Sequence, residues 1–169
     1  MGCDIHWVIE KKIGAMHENE ASGWVGVAMK YHTPKLPLSA DITAETPIGH
    51  EPIYSDRDYR FFAALAGVRG EGPEPRGLPD DISELAQIDV DGYGDDGHSH
   101  SWATLREFVM TWLSVARPKI YEAITSGVTA ARLGDVALHE EVRKALGYYT
   151  GVSWLSDIDD YRVVYFFDN

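Results

Sequence analysis

Two short stretches concentrate the side chains able to bind a cation or move a proton. Near the start, Asp4 and His6 are two positions apart, and on an extended strand that spacing puts both on one face. A carboxylate and a neutral imidazole together form the mixed donor set that Zn, Mn or Fe sites use. In the middle of the chain runs Gly94-Asp95-Asp96-Gly97-His98-Ser99-His100-Ser101-Trp102. A His-x-His pair in extended backbone aims both rings the same way, and Gly97 lets the chain bend so that Asp95 or Asp96 joins them. Asp168, after a last apolar strand, would reach Asp4 and His6 if the terminal strands are neighbours. The expected site therefore has Asp4, His6, His98, His100 and Asp168 as ligands of one divalent ion. Asp96, with Asp95 beside it, would be a further ligand or the general base on a metal-bound water.

Each piece has a plainer account. Asp4 and His6 fit a solvated polar edge, surface loops gather Gly, Asp, Ser and His by chance, and Asp168 fits an ordinary charged chain end. Arg57, Tyr59, Arg69 and Arg76 are candidates for an anionic or planar ligand, because guanidinium groups bind phosphate bidentately and stack on rings. Ser99 and Ser101 add hydroxyls next to a helix start, where backbone N–H groups attract anions. In a chain with 27 acidic residues, any one of these arginines could equally be an ion-pair partner. Asp80 or Asp81 is read as the cap of a short helix at 83–88. Ser99, His98 and Asp96 have the residue types of a nucleophilic triad but lack a Gly-x-Ser-x-Gly elbow, and no phosphate-binding glycine motif is present.

The elements that must position these groups follow from periodicity. Apolar residues alternate from Cys3 to Ile13, and a second β-type run covers 24–31, which predicts a hairpin. Pro34, Pro37, Pro47 and Pro52 forbid a regular helix over 32–54. A helix is predicted from Ser55 to Gly67, a loop over 70–79, and another loop from Asp89 to His100. A helix follows Ser101 or Thr104 and closes at Pro118, with further helices at 119–126 and 136–149. A final strand over 161–167, apolar almost throughout, is expected at the centre of the sheet. The fold expected is α+β: a single domain over 1–169, with a small, mainly antiparallel sheet made of the N-terminal hairpin and the C-terminal strand, packed with several helices and long loops.

Composition narrows the partners. The formal charge of −12 opposes non-specific attraction to nucleic acid or anionic lipid. No apolar run is long enough to span a bilayer, so an intracellular, soluble protein is expected. The five tryptophans and nine tyrosines place the negative charge on a folded surface rather than on a disordered tail. Cys3 is the single cysteine, which rules out an internal disulfide and leaves a buried thiol as the expectation. Gly2 does not start a myristoylation signal, since position 6 is His.

Several blocks also resemble a known family. Met1-Gly2-Cys3-Asp4-Ile5-His6, the run from Arg57 to Arg69, the Glu74-Pro75-Arg76-Gly77-Leu78-Pro79-Asp80-Asp81 loop, Asp96-Gly97-His98-Ser99-His100-Ser101-Trp102 and the closing Phe166-Phe167-Asp168-Asn169 are similar to small proteins encoded by bacteriophages of actinobacteria and other bacteria. The blocks cover about a third of the chain, in the same order. Position 58 is Asp where that family usually has Asn, and the segment between the His-rich loop and the last strand is short. The resemblance implies a viral gene product at work in the host bacterial cytoplasm, and it brings no fold, activity or cofactor with it.

The leading expectation is a metal-dependent hydrolase of a nucleotide or other phosphate-containing small molecule, with Arg57 or Arg76 holding the anion. The competing expectations are a non-catalytic protein that sequesters a host nucleotide or inhibits a host protein, and a structural or assembly protein.

Overall fold

The computed structural model describes residues 2–14, 23–29, 57–125 and 158–169. The proline-rich stretch over 32–54, the helix expected at 136–149, and His17, His32, His50 and His139 lie outside them. Four strands, β1 (Ile5–Ile13), β2 (Gly23–Met29), β3 (His98–Thr104) and β4 (Tyr161–Phe167), form one sheet in the order β2-β1-β4-β3. Every pairing is antiparallel. Among the described residues, four α-helices accompany them: α1 (Tyr59–Ala66), α2 (Glu84–Tyr93), α3 (Leu105–Ala116) and α4 (Pro118–Thr125). The molecule is α+β with a small antiparallel sheet, as the periodicity predicts.

The sheet is covered on both faces. Ile5, Trp7 and Ile9 of β1, Val163, Tyr165 and Phe167 of β4, and Ala103 of β3 pack with Phe61, Phe62 and Leu65 of α1 and with Phe108 and Leu113 of α3. On the opposite face, Val8 and Val164 meet Leu85 and Ala86 of α2, with Trp102 against them. All seven residues of β4 are buried, which explains why a strand flanked on both sides carries no polar alternation.

The charged pair on that second face departs from the rule that charges stay outside. Glu10 faces Arg162 directly across the β1–β4 ladder, and the two form a buried ion pair. Arg162 also binds the carboxylate and backbone carbonyl of Asp81, and its guanidinium lies 4.1 Å from the Trp24 ring centre. The second Glu10 oxygen accepts the Ser83 N–H at 2.7 Å. Asp81 is therefore committed to Arg162, and Ser83, not Asp80 or Asp81, caps α2.

Other boundaries move for local reasons. Asp58 caps α1, accepting from the N–H groups of Arg60 and Phe61, so the helix starts later than Ser55, and Arg57 precedes it. Helix α2 runs on to Tyr93, followed by a 3-10 turn at Gly94–Asp96 and then by β3. The loop expected from Asp89 to His100 is thus helix, turn and strand. Thr104 and Glu107 form a reciprocal capping box at the start of α3, and Pro118 both follows that helix and opens α4, where its missing N–H costs nothing.

Candidate functional site

Antiparallel pairing of β1 with β4 continues one step beyond Ile5↔Phe167. Asp168 N–H donates to Asp4 O at 3.1 Å, and Asp4 N–H donates to Asp168 Oδ1 at 2.8 Å. The other Asp168 oxygen stands 3.2 Å from His6 Nε2. His6 is 4% exposed, with its ring 4.1 Å from Tyr93 and stacked 5.0 Å from Phe166, centre to centre. Arg57 grips the Asp4 carboxylate with Nε at 3.0 Å and Nη2 at 2.9 Å, and that hydrogen bond raises the guanidinium's pKa further above its ordinary value. Asp4, His6 and Asp168 converge, and Arg57 completes the group as an ion-pair partner.

The second cluster is divided by its backbone. Ser99 has φ of 53°, in the left-handed region that a residue with a Cβ enters at a cost, and the β3–β4 register breaks between His98 and Ser101. His98 stacks over Phe167 at 6.2 Å and His100 over Phe166 at 5.4 Å. Phe166 and Phe167 are consecutive in β4 and point to opposite faces, so the two imidazoles are parted rather than aimed together. Phe166, on the strand between them, also separates His100 from His6. Asp95 and Asp96 are exposed in the 3-10 turn, and neither is hydrogen-bonded to a histidine. Among the described residues, no group of three or more His, Cys, Asp or Glu side chains is arranged to hold a metal ion.

Burial leaves its mark on both histidines of β3. The Nε2 atoms of His98 and His100 are buried without a hydrogen-bond partner, while His98 Nδ1 and Ser99 Oγ are 3.0 Å apart. Desolvation, helped by the nearby His98, lowers the pKa of His100. A neutral ring there carries no uncompensated charge into the interior.

Beside His98 opens a cavity of about 550 Å³, walled by residues 66–75 on one side and by His98 and Ser99 on the other. Among the described residues, Arg69 (φ 61°) and Ser99 (φ 53°) are the two non-glycine residues with positive φ, and both line this cavity. Arg69 hydrogen-bonds the buried Cys3 thiol, whose pKa burial pushes up, and lies 5.7 Å from the Tyr59 ring centre. Glu71 and Glu74 stand exposed on the same wall. Gly72 fixes the wall's approach to α1, because a Cβ there would fall 1.8 Å from Ala63 O.

Arg76 is placed elsewhere. It holds Glu107 through two hydrogen bonds of 3.1 and 3.0 Å, packs 5.2 Å from the Trp102 ring centre, and its N–H donates to the buried Ser101 Oγ. This is an anchor between the 73–79 loop and α3. Sequence reasoning missed the buried carboxyl of Asp89, 6% exposed on α2. Its spacing from Leu85 and Tyr93 carried the signal, but Asp89-Val90-Asp91-Gly92 has the composition of a loop. The chain was compared with protein-family models, with curated proteins and with solved structures, and nothing among them matches it.

Proposed function

We propose that this is a phage-encoded protein of the host bacterial cytoplasm that binds a nucleotide or similar phosphate-containing small molecule in the cavity between residues 66–75 and Ser99. The observation that carries this reading is that Arg69 and Ser99, each in a left-handed conformation, line one cavity from its two sides. Strained backbone of this kind concentrates where a ligand is gripped, and the volume suits one small molecule. The lining asks for a ligand with two characters. The Arg69 guanidinium and the Ser99 hydroxyl suit phosphate oxygens, while the Glu71 and Glu74 carboxylates suit amino or hydroxyl donors such as those of a base and ribose. Calorimetric titration with a panel of mononucleotides tests it: stoichiometric binding that Arg69→Ala weakens at least about tenfold supports the reading. No binding by any member overturns it.

A second reading is favoured by the gathering of Asp4, His6 and Asp168. Two carboxylates and an imidazole are the donor types of a divalent Zn, Mn or Fe site; were Asp4 to leave Arg57 and the three to close on an ion, the protein would be a metal-dependent hydrolase of the same class of molecule. Zn²⁺ or Mn²⁺ titration of the wild type and of His6→Ala, with phosphorus NMR of nucleotides incubated with each metal, separates the two. Turnover that depends on metal and on His6 supports hydrolysis, and binding without product supports the carrier.

A further inference from the structure

Helix α2 carries a carboxyl group into the interior, and no described residue receives it. Leu85, Ala86 and Asp89 are its buried residues. Asp89 is 6% exposed and accepts no hydrogen bond from any described residue. Four positions on, Tyr93 of the same helix rests on His6 at 4.1 Å and edge-on against Phe166 at 5.2 Å. The helix thus roofs the face of the sheet on which His6, Phe166 and His100 lie side by side. It ends in Gly92, where an added Cβ would meet open space, and Gly94, whose φ of 50° and ψ of −126° only glycine adopts readily.

The other ionisable groups on this side are already engaged or far out. From β1 come His6, paired with Asp168, Glu10, paired with Arg162, and Lys12, exposed at the strand's end. From β4 comes Arg162, held also by Asp81, and from β3 the neutral His100. Gly23, Trp24, Val25 and Gly26 of β2 bring none. No cation among the described residues compensates Asp89, so its ionised form is stable only if the carboxylate reaches water.

We infer that α2 is a proton-controlled cover: it is seated over His6 and Phe166 while Asp89 is protonated, and swings out on its glycine end when Asp89 loses its proton. Desolvation pushes this carboxyl up to about 7, so the change is complete near neutral pH. The seated state weakens as pH rises from the ordinary Asp value of 3.8 to about 7 and levels off beyond, because in that interval the open, ionised form gains about tenfold per pH unit over the seated, protonated one.

Amide hydrogen exchange on the full chain at about pH 6 and about pH 8, corrected for the intrinsic rate, reads the cover directly. The protection of the α2 amides is expected to fall roughly tenfold between the two and to lie well below that of the β4 amides at both, the mark of an opening that does not involve the whole fold. Asp89→Asn, which is locked neutral, and Asp89→Leu, which removes the polar group, are expected to give flat α2 profiles. Unchanged α2 protection in the wild type overturns the inference. So does α2 protection as high as that of β4, which would mean that α2 opens only with the whole fold, or a loss that persists in both variants, which would assign the titration to another group.

Discussion

Glu10 and Arg162 face each other across β1 and β4 with side chains 0% and 4% exposed, so their attraction acts where water does not screen it. Removing Arg162 strands the Glu10 charge, whereas Arg162 without Glu10 is still held by Asp81. Arg162→Met is expected to lower the unfolding free energy by about 3–5 kcal/mol, read from urea midpoints. Glu10→Leu combined with Arg162→Met is expected to lose much less than the two single changes added together, because no orphan charge remains. An additive double variant would show that the pair is not coupled.

Stability should depend on pH through Asp89. An unfolded Asp titrates near 3.8 and the folded one near 7, so the native state holds a proton that the unfolded chain has lost in between. The stabilisation is full below about pH 4 and declines as pH rises to about 7, by something on the order of 4 kcal/mol. Asp89→Asn removes this decline. What remains in the variant is expected to have the opposite slope, since the lowered pKa of His100 makes stability fall as pH drops below the ordinary histidine range. Urea titrations across that span check both signs.

Ser99 and Arg69 offer a test in which stability and binding move in opposite directions. Ser99→Gly and Arg69→Gly each relieve a left-handed residue and are expected to stabilise the fold by about 1 kcal/mol. The same changes remove a hydroxyl or a guanidinium from the cavity and are expected to weaken nucleotide binding about tenfold or more. Thermal melts with calorimetry on the same samples decide it. Binding retained in both variants would detach the strain from the ligand.

Gly72→Ala presses a methyl group into the carbonyl of Ala63. The 66–75 wall must then leave α1, with a loss of at least about 2 kcal/mol in unfolding free energy and a changed cavity. An unaltered urea midpoint would show that the wall adapts without cost.

The strands were legible because burial imposes a period. Ile5, Trp7 and Ile9 alternate with His6 and Val8, and the run of β4, apolar but for Arg162, announces a central strand. The contact of Asp168 with Asp4 and His6 followed from adjacency of the terminal strands, which the sheet order supplies. What stayed hidden was set by single backbone angles and by distant partners. The left-handed turn at Ser99 sends His98 and His100 to different sides, a decision no side-chain spacing encodes. Arg162 and Glu10 are 152 positions apart, and only the cross-strand register brings them together. Asp89 was obscured because acidic, glycine-containing sequence favours turns unless packing overrides it. That packing comes from Leu85 against Val8 and Val164.

The place of β4 between β1 and β3 also governs when the fold can exist. The N-terminal hairpin can close early, but β1 and β3 have no common neighbour until the strand ending at Phe167 arrives to lie between them. While the ribosome still holds that strand, Glu10 lacks its arginine, His6 lacks Asp168, and the apolar faces of two half-sheets stand open to water. Long sequence separations of this kind slow folding, so the nascent chain passes through an interval in which chaperones or its own aggregation compete for the same surfaces.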